Sequence, residues 1–397
     1  MPTNILLPIA GFAKRFVDRG YKLPKPLLPA NGVPMIQLAI NSLFAGPSDD
    51  FKLIFVVRDD HCINHDIINA LKYLFKDWQT DFVTLHEVTQ GTLCSCLKAK
   101  ELINNDDPLV IYTPDVCFDR QFDITKDFLE TDLDGLLVTF KANSPDHSYV
   151  ALGDDGLAIE TAEKRVISAD AAVGVYCWRT GSMFVKYAEE VIQQDLRVNN
   201  EFYVAPTYNL LINDKLKIGI SRIDKMYVLG TPEDLDFYES HVARYQKINT
   251  VALCCDHSGF ALKEQCRKVL TALKIPHLDF GAYSEGDSDH YDFLKPTIEF
   301  LNNNKQTIGM AFCTTGQGFN IAANKASGIR SALITDSYSA EYGRKHNAAN
   351  FFCLPSRSVR PEDLQQIVTA IVQNSFDGGR HATRIQKFEK DSSLFRK

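Results

Sequence analysis

Six short apolar runs punctuate the first part of the chain: NILLPIA, KLIFVVR, PLVIYTPD, DGLLVTF, AAVGVYCW and KIGISRI. Unbroken apolar runs of this length, rich in branched residues, read as strands buried on both faces. Amphipathic segments such as PMIQLAINSLF and INHDIINALKYLFKDW lie between several of them. The alternation predicts an α/β sheet with helices on its faces. It reaches GTPEDLDFYESHVARYQKI, read as a helix capped by Thr231 with Pro232 at its first position. The pattern then starts again at NTVALCCDHSGFALKEQCRKVLTALKI and continues through TIGMAFC, IRSALIT and NFFCLPS. Two such cycles in 397 residues ask for two cores. The join falls within YQKINT, so the expected domains are 1–245 and 250–397. No Gly/Ser/Pro-rich spacer stands there, which predicts two docked halves rather than two tethered ones.

Charge narrows the classes of partner. A net charge of −7 at pH 7 is opposite in sign to the basic face of a nucleic-acid binder, so no nucleic-acid partner is expected. No apolar run has the length of a bilayer span, and NILLPIAG lacks the basic leader and the length of a secretory signal. No membrane partner is expected either. The ten cysteines lie mostly inside apolar runs, without metal-ligand spacing. The expectation is a reduced, soluble, cytoplasmic protein.

In the first half, PIAGFAKRF puts a tight loop of small residues after the first strand, followed by Lys14 and Arg15. Small residues let backbone amides approach phosphate oxygens, and the cations neutralise them. A second basic element, KLPKPLLP, holds Lys25 between prolines that stiffen its backbone. In this order the two resemble the signature of sugar nucleotidyltransferases (nucleotide-sugar pyrophosphorylases), a glycine-rich loop ending in Arg and then Pro-Lys-Pro-Leu. The resemblance runs over roughly residues 4–240, through EVTQGTLCSCLKAKELI, LVIYTPDV, AEKRVIS, VNNEFYVAPTYN and LGTPEDL. It implies a Rossmann-like three-layer α/β/α domain with a mixed sheet. It further implies that Ala10 and Gly11 form the nucleotide loop, that Arg15 and Lys25 hold a nucleoside triphosphate, and that Gln90 and Gly91 face the base. Asp115 would bind Mg²⁺, and Glu163, Lys164 and Glu201 would hold a sugar phosphate. In that chemistry a sugar-phosphate oxygen attacks the α-phosphorus in line and pyrophosphate leaves, helped mainly by positioning and cations. Two positions depart from the family: Ala13 replaces a loop glycine, and Val228 stands where a second metal-binding Asp is expected, with Asp224 nearby.

The second half carries GMAFCTTGQGFNIAANK, in which Cys313 closes an apolar run ahead of a loop with two glycines. A thiol serves as a base where dipoles or cations favour the thiolate, and a loop of amides can cradle an oxyanion. That pairing suits an aldose–ketose isomerase. CCDHSGFALKE, CTTGQGFNIAANK, GIRSALITDSYSAEYGRKHNAANFFCLPSR and FDGGRHATRIQKF follow in order. They resemble ribose-5-phosphate isomerase B and its galactose-6-phosphate isomerase relatives over about 250–390. The resemblance implies a smaller, parallel-sheet Rossmann-like domain, no cofactor, and a homodimer or homotetramer with sites across the dimer interface. Cys313 would move the proton between C1 and C2, with Thr315 and the amides through Gly316 and Gly318 stabilising the enediolate. His346 would assist ring opening, and Asp256 and Asn347 would hold hydroxyls. His257, Arg357, Arg380 and Arg384 would grip the phosphate, where forked guanidinium contacts suit the anion. Arg380 and Arg384 share a face if GRHATRIQ is helical. Four positions depart: Thr314 and Pro355 replace glycines, Gln317 a small aliphatic, and His290 a hydroxyl-binding tyrosine.

The pair of resemblances implies a bifunctional enzyme that makes an activated sugar for a surface glycan from a nucleoside triphosphate and sugar phosphates. An alternative stays open, in which the first half is catalytically inert and serves as a binding or oligomerisation module.

Overall fold

The six apolar runs become strands of one sheet, and the restart builds another. A computed structural model describes residues 2–119, 122–245 and 248–391. It divides into two compact units, Met1–Leu235 and Asp236–Lys397.

Apart from a two-residue ribbon of Pro29–Ala30 with Val33–Pro34, the strands of unit 1 are β1 (Thr3–Pro8), β2 (Phe51–Arg58), β3 (Gln79–Leu85), β4 (Leu109–Tyr112), β5 (Val116–Phe118), β6 (Gly135–Lys141), β7 (Ser148–Leu152), β8 (Ala158–Glu163), β9 (Asp170–Trp178), β10 (Ile218–Arg222) and β11 (Met226–Val228). Nine form one mixed sheet in the order β8-β7-β9-β4-β1-β2-β3, with β6 pairing both β9 and β10. The segment β4-β1-β2-β3 is parallel, and β9 runs antiparallel to β4 and β6. Alternate side chains feed two cores: Ile5, Leu7, Phe55 and Val57 on one face, Leu6, Ile54, Val56 and Ile111 on the other. β5 and β11 form a separate antiparallel ribbon. The helix Pro232–Phe237 starts as the sequence reading expects. Asp234 N donates to Thr231 Oγ1 at 3.1 Å, and Thr231 N donates back to the Asp234 carboxylate at 3.0 Å.

Unit 2 has a five-stranded, all-parallel sheet of β12 (Thr250–Cys255), β13 (His277–Asp279), β14 (Thr307–Cys313), β15 (Ser331–Leu333) and β16 (Phe351–Pro355). Its order is β13-β12-β14-β16-β15. Its helices include α1 (Phe260–Ala272), α2 (His290–Asn303), α3 (Gln317–Ala323), α4 (Ser337–Asn347) and α5 (Gly379–Lys390).

The division precedes the join read at 245–250. Residues after Leu235 carry an aromatic stretch that the second core covers. Phe237 lies 6.1 Å from Phe376, and Tyr245 belongs to the core of Val251, Met310 and Phe352. The buried Arg344 guanidinium donates to Tyr245 O at 2.9 Å, and Asn350 Nδ2 donates to Tyr245 Oη at 2.9 Å. Among the described residues no helix is long and apolar enough to cross a membrane, and no disulfide joins the cysteines.

Candidate active sites

Strand order decides where the unit 2 site lies. The chain leaves β12 towards β13 on one side and reaches β14 on the other, so the sheet's direction of winding switches between β12 and β14. Loops at the carboxyl ends of such a pair diverge and leave a crevice. Asp256 follows β12 directly, and Cys313 ends β14. Asp256 Oδ1 accepts from the amides of Ser258 and Gly259, each at 3.0 Å, and from Ser258 Oγ at 2.6 Å. Ser258 Oγ in turn accepts from Thr314 N at 2.8 Å, which ties the first loop to the residue after the cysteine. The approach is close because Gly259 has no side chain: a Cβ there would meet Phe312 O at 2.0 Å.

The thiol is 6% exposed, and its Sγ accepts from Gly316 N at 3.1 Å. Gly316 can aim its amide this way because it has φ 72°, and a Cβ on it would stand 2.4 Å from Leu333 Cδ1. Burial pushes the Cys313 thiol up, and the Asp256 charge adds to that; the amides of Gly316, Thr315 and Phe319 pull it back. The net direction is upward, so the resting group is the thiol. Around it, Thr315 Oγ1 accepts from Gln317 N at 3.4 Å, and Gly318 is the second residue of α3. Arg357 is exposed and anchored by its amide to Thr314 O at 3.3 Å. His257 sits beside Asp287, with its Nδ1 3.6 Å from the carboxylate.

A second group gathers elsewhere in unit 2. His346, near the end of α4, stacks on His381 of α5 with ring centroids 3.9 Å apart and planes 13° apart. α5 is helical throughout Gly379–Lys390, which gives Arg380 and Arg384 the expected i,i+4 relation. Burial lowers the His346 pKa, and Arg380 and Arg384 are among the charges acting on it. Asn347 donates to Tyr342 O at 3.3 Å. Among the described residues, no hydrogen bond joins His346, Asn347, Arg380, His381 or Arg384 to Cys313, Asp256, His257 or Thr315.

The sequence reading does not single out His381, which is 8% exposed. Its pKa is lowered to about 4 by burial and by the charges of His346, Arg380 and Arg384. The unfolded chain, with an ordinary histidine, binds a proton first, so the native state loses stability as pH falls from the ordinary histidine range towards 4. The thermal midpoint of the protein is expected to drop over that interval, and His381→Gln to flatten the drop. An unchanged profile in the variant would assign the effect to other groups.

Unit 1 has a cavity of about 450 Å³ at the carboxyl ends of β1 and β4, lined by Ala10, Gly11, Arg15, Lys25, Asp115 and Glu201 among others. Lys25 Nζ lies 2.7 Å from Asp115 Oδ1 and 3.4 Å from Gly230 O. Gly91 lines the same cavity, and a Cβ on it would meet Phe202 O at 2.4 Å; Gln90 O accepts from Phe202 N at 2.9 Å. Glu163 accepts from Ser148 Oγ, and Lys164 Nζ donates to Tyr203 Oη at 2.8 Å. Burial raises the Glu163 pKa, while the bond to Tyr203 raises that of Lys164.

Mg²⁺ can be tested against this donor set. Val228 pairs with Val116, next to Asp115, and brings no ligand. Asp224 precedes β11 at its other end, with about 10 Å of strand between, so it does not replace the missing carboxylate. Among the described residues no three His, Cys, Asp or Glu side chains cluster as a metal site. The Asp115 side chain is 65% exposed, and Mg²⁺ is commonly held by one or two carboxylates plus substrate phosphates. The set fits an ion that takes its remaining ligands from a nucleotide.

Ala13 stands in the left-handed region that favours glycine. Its φ of 47° and ψ of 38° are left-handed, a conformation that costs a residue with a Cβ about 1 kcal/mol. Ala13→Gly is expected to raise the thermal midpoint by about 2–4 °C. A lowered midpoint would contradict the strain.

The Ribose/Galactose Isomerase family profile matches residues 251–388. A probable ribose-5-phosphate isomerase B of Mycoplasma pneumoniae is 37% identical over 143 residues, which are 36% of this chain and 94% of that protein. The chain belongs to the ribose/galactose isomerase family. The ribose-5-phosphate isomerase B of Escherichia coli is 33% identical over 136 residues, 34% of this chain and 91% of that protein. Family membership thus rests on unit 2. Unit 1 is similar in fold to the crystal structure of a nucleoside-diphosphate-sugar pyrophosphorylase from Vibrio cholerae RC9, at a TM-score of 0.51 and 23% identity, over 59% of this chain and 99% of that one. Within the isomerase-family unit, Ser258 and His381 are the residues that sequence reasoning passes over. Ser258 stands in view in CCDHSGF, but its bond to Thr314 spans 56 positions.

Proposed function

We propose that unit 2 interconverts an aldose and a ketose phosphate, and that unit 1 transfers a nucleotidyl group from a nucleoside triphosphate to a sugar phosphate with release of pyrophosphate. The observation that carries the isomerase reading is the Gly316 amide on Cys313 Sγ, beside Asp256, at the crevice between β12 and β14. Once deprotonated, Sγ takes the proton from C2 of the open-chain aldose phosphate. The C–H electron pair forms the C1–C2 double bond, and the carbonyl oxygen gains the negative charge that the loop amides meet. Returning the proton to C1 gives the ketose. No cofactor is needed for this half. Asp256 would hold a hydroxyl, and His257 and Arg357, on loops that flank Cys313, would grip the phosphate.

The separate grouping of His346, Asn347, Arg380 and Arg384 supports a homodimer or homotetramer in which these residues complete the crevice of another copy. In unit 1, Arg15 and Lys25 would hold the triphosphate, and Glu163, Lys164 and Glu201 the sugar phosphate. Mg²⁺ bound at Asp115 would neutralise phosphate charge. Such a pair of activities suits precursor synthesis for a surface glycan. Val228 and the Lys25–Asp115 ion pair favour a second reading, in which unit 1 binds these ligands without turnover.

The test is conversion of a panel of pentose and hexose phosphates by the purified protein, with and without a chelator. The isomerase reading expects ketose product from at least one aldose phosphate, unaffected by chelation. Failure on every member of the panel would overturn it.

A further inference from the structure

Isomerisation moves two protons. Cys313 accounts for the one on carbon; the hydroxyl proton must travel from O2 to O1, and no residue assigned so far carries it. His290, the first residue of α2, is placed for this. Its ring packs edge-on against Phe319 of α3, with centroids 5.3 Å apart and planes at 68°. Its Nε2 lies 3.8 Å from where a Cβ would stand on Gly318, so it borders the loop whose amides surround the thiol. The side chain is 41% exposed, and its Nδ1 is 3.5 Å from Asp289 Oδ1. The approach to Asp289 orients the ring with Nε2 towards the loop. Nearby, Ser288 fixes the segment to the other wall of the crevice: His257 N donates to Ser288 Oγ at 3.1 Å, and Ser288 N donates to His257 Nδ1 at 3.4 Å. α3 itself, Gln317–Ala323, contributes no charged side chain to face His290.

We propose that His290 Nε2 is the acid–base group that passes the hydroxyl proton between O2 and O1 of the enediolate. Neutral imidazole takes the O2 proton as the C2 carbonyl forms, and a proton from the imidazole saturates O1. Cys313 delivers the carbon-bound proton to C1, so one hydrogen moves between carbons and one between oxygens, with no other reactant. This inference rests on the isomerase reading.

The experiment follows solvent exchange and conversion separately, in D₂O, on an aldose phosphate that the unaltered enzyme accepts. In His290→Asn, Cys313 still removes the C2 proton, so the enediolate returns to substrate carrying deuterium. Conversion is expected to fall by about 10²-fold while exchange into recovered substrate persists. His290→Phe, which keeps a ring against Phe319, should show the same split. Unchanged conversion in both variants, or exchange and conversion falling together, would overturn the proposal. Thermal midpoints report whether each variant is folded. Absence of both signals in the unaltered enzyme would instead remove the isomerase reading on which the proposal stands.

Discussion

Cys313→Ala is expected to lower isomerase kcat/KM by about 10²–10⁴-fold, the range a positioned base supplies, while leaving the melting temperature close to that of the unaltered protein. The second half of that expectation follows from size: the thiol is buried but small, and its removal leaves little space unfilled. Because burial holds the thiol above its ordinary pKa, kcat/KM should rise with pH through neutrality and beyond it, as the thiolate fraction grows. Steady-state kinetics from about pH 6 to 10 would show this limb. A Cys313→Ala enzyme with near-normal activity would transfer the base to another residue.

The second large effect concerns the two groups in unit 2. Cys313→Ala and His346→Ala should each be inactive alone. Mixed after dissociation and reassociation, they should regain about a quarter of the unaltered activity, since half of the two-fold dimers would pair one intact set from each copy. Recovery requires that Cys313 of one copy work with His346 of another. A mixture as inactive as its components, with exchange of subunits verified by mass, would place both groups' work within a single chain.

Both expectations depend on features that differ in how far sequence could reveal them. The buried strands β1, β2, β4, β6 and β9 stand out because most of their residues are apolar on both faces, whereas β10 is buried only at Ile218 and Gly219. β3 is half-exposed and polar at Gln79, Thr80 and Asp81, so its run carries no comparable signal. The hairpin of β7 and β8 is legible only through its pairing to β9, a long-range fact. The boundary differs from the sequence reading for a related reason: Phe237 and Tyr245 look like the tail of a helix, and only tertiary packing assigns them to the second core.

Site residues follow the same division. Cys313, Thr315, Gly316 and Gly318 lie within one short segment, and the loop they form is visible as a motif. Their relation to Asp256 depends on the parallel pairing of β12 with β14, which brings positions 255 and 312 into register. In unit 1, Val228 is recognisable as a departure, but whether Asp224 could replace the missing carboxylate depends on the ribbon of β5 and β11. The ribbon sets the two ends apart.

The measurement that bears most directly on the account is mass spectrometry of one reaction in D₂O. The purified protein would meet Mg²⁺, each nucleoside triphosphate in turn, and a panel of pentose and hexose phosphates. The account predicts deuterium incorporated at carbon together with pyrophosphate release and a nucleotide-sugar product. A nucleotide-sugar carrying deuterium would show one carbon skeleton passing through both units. Exchange at carbon with no nucleotide product under any condition would contradict the two-activity reading and leave an isomerase joined to a binding unit.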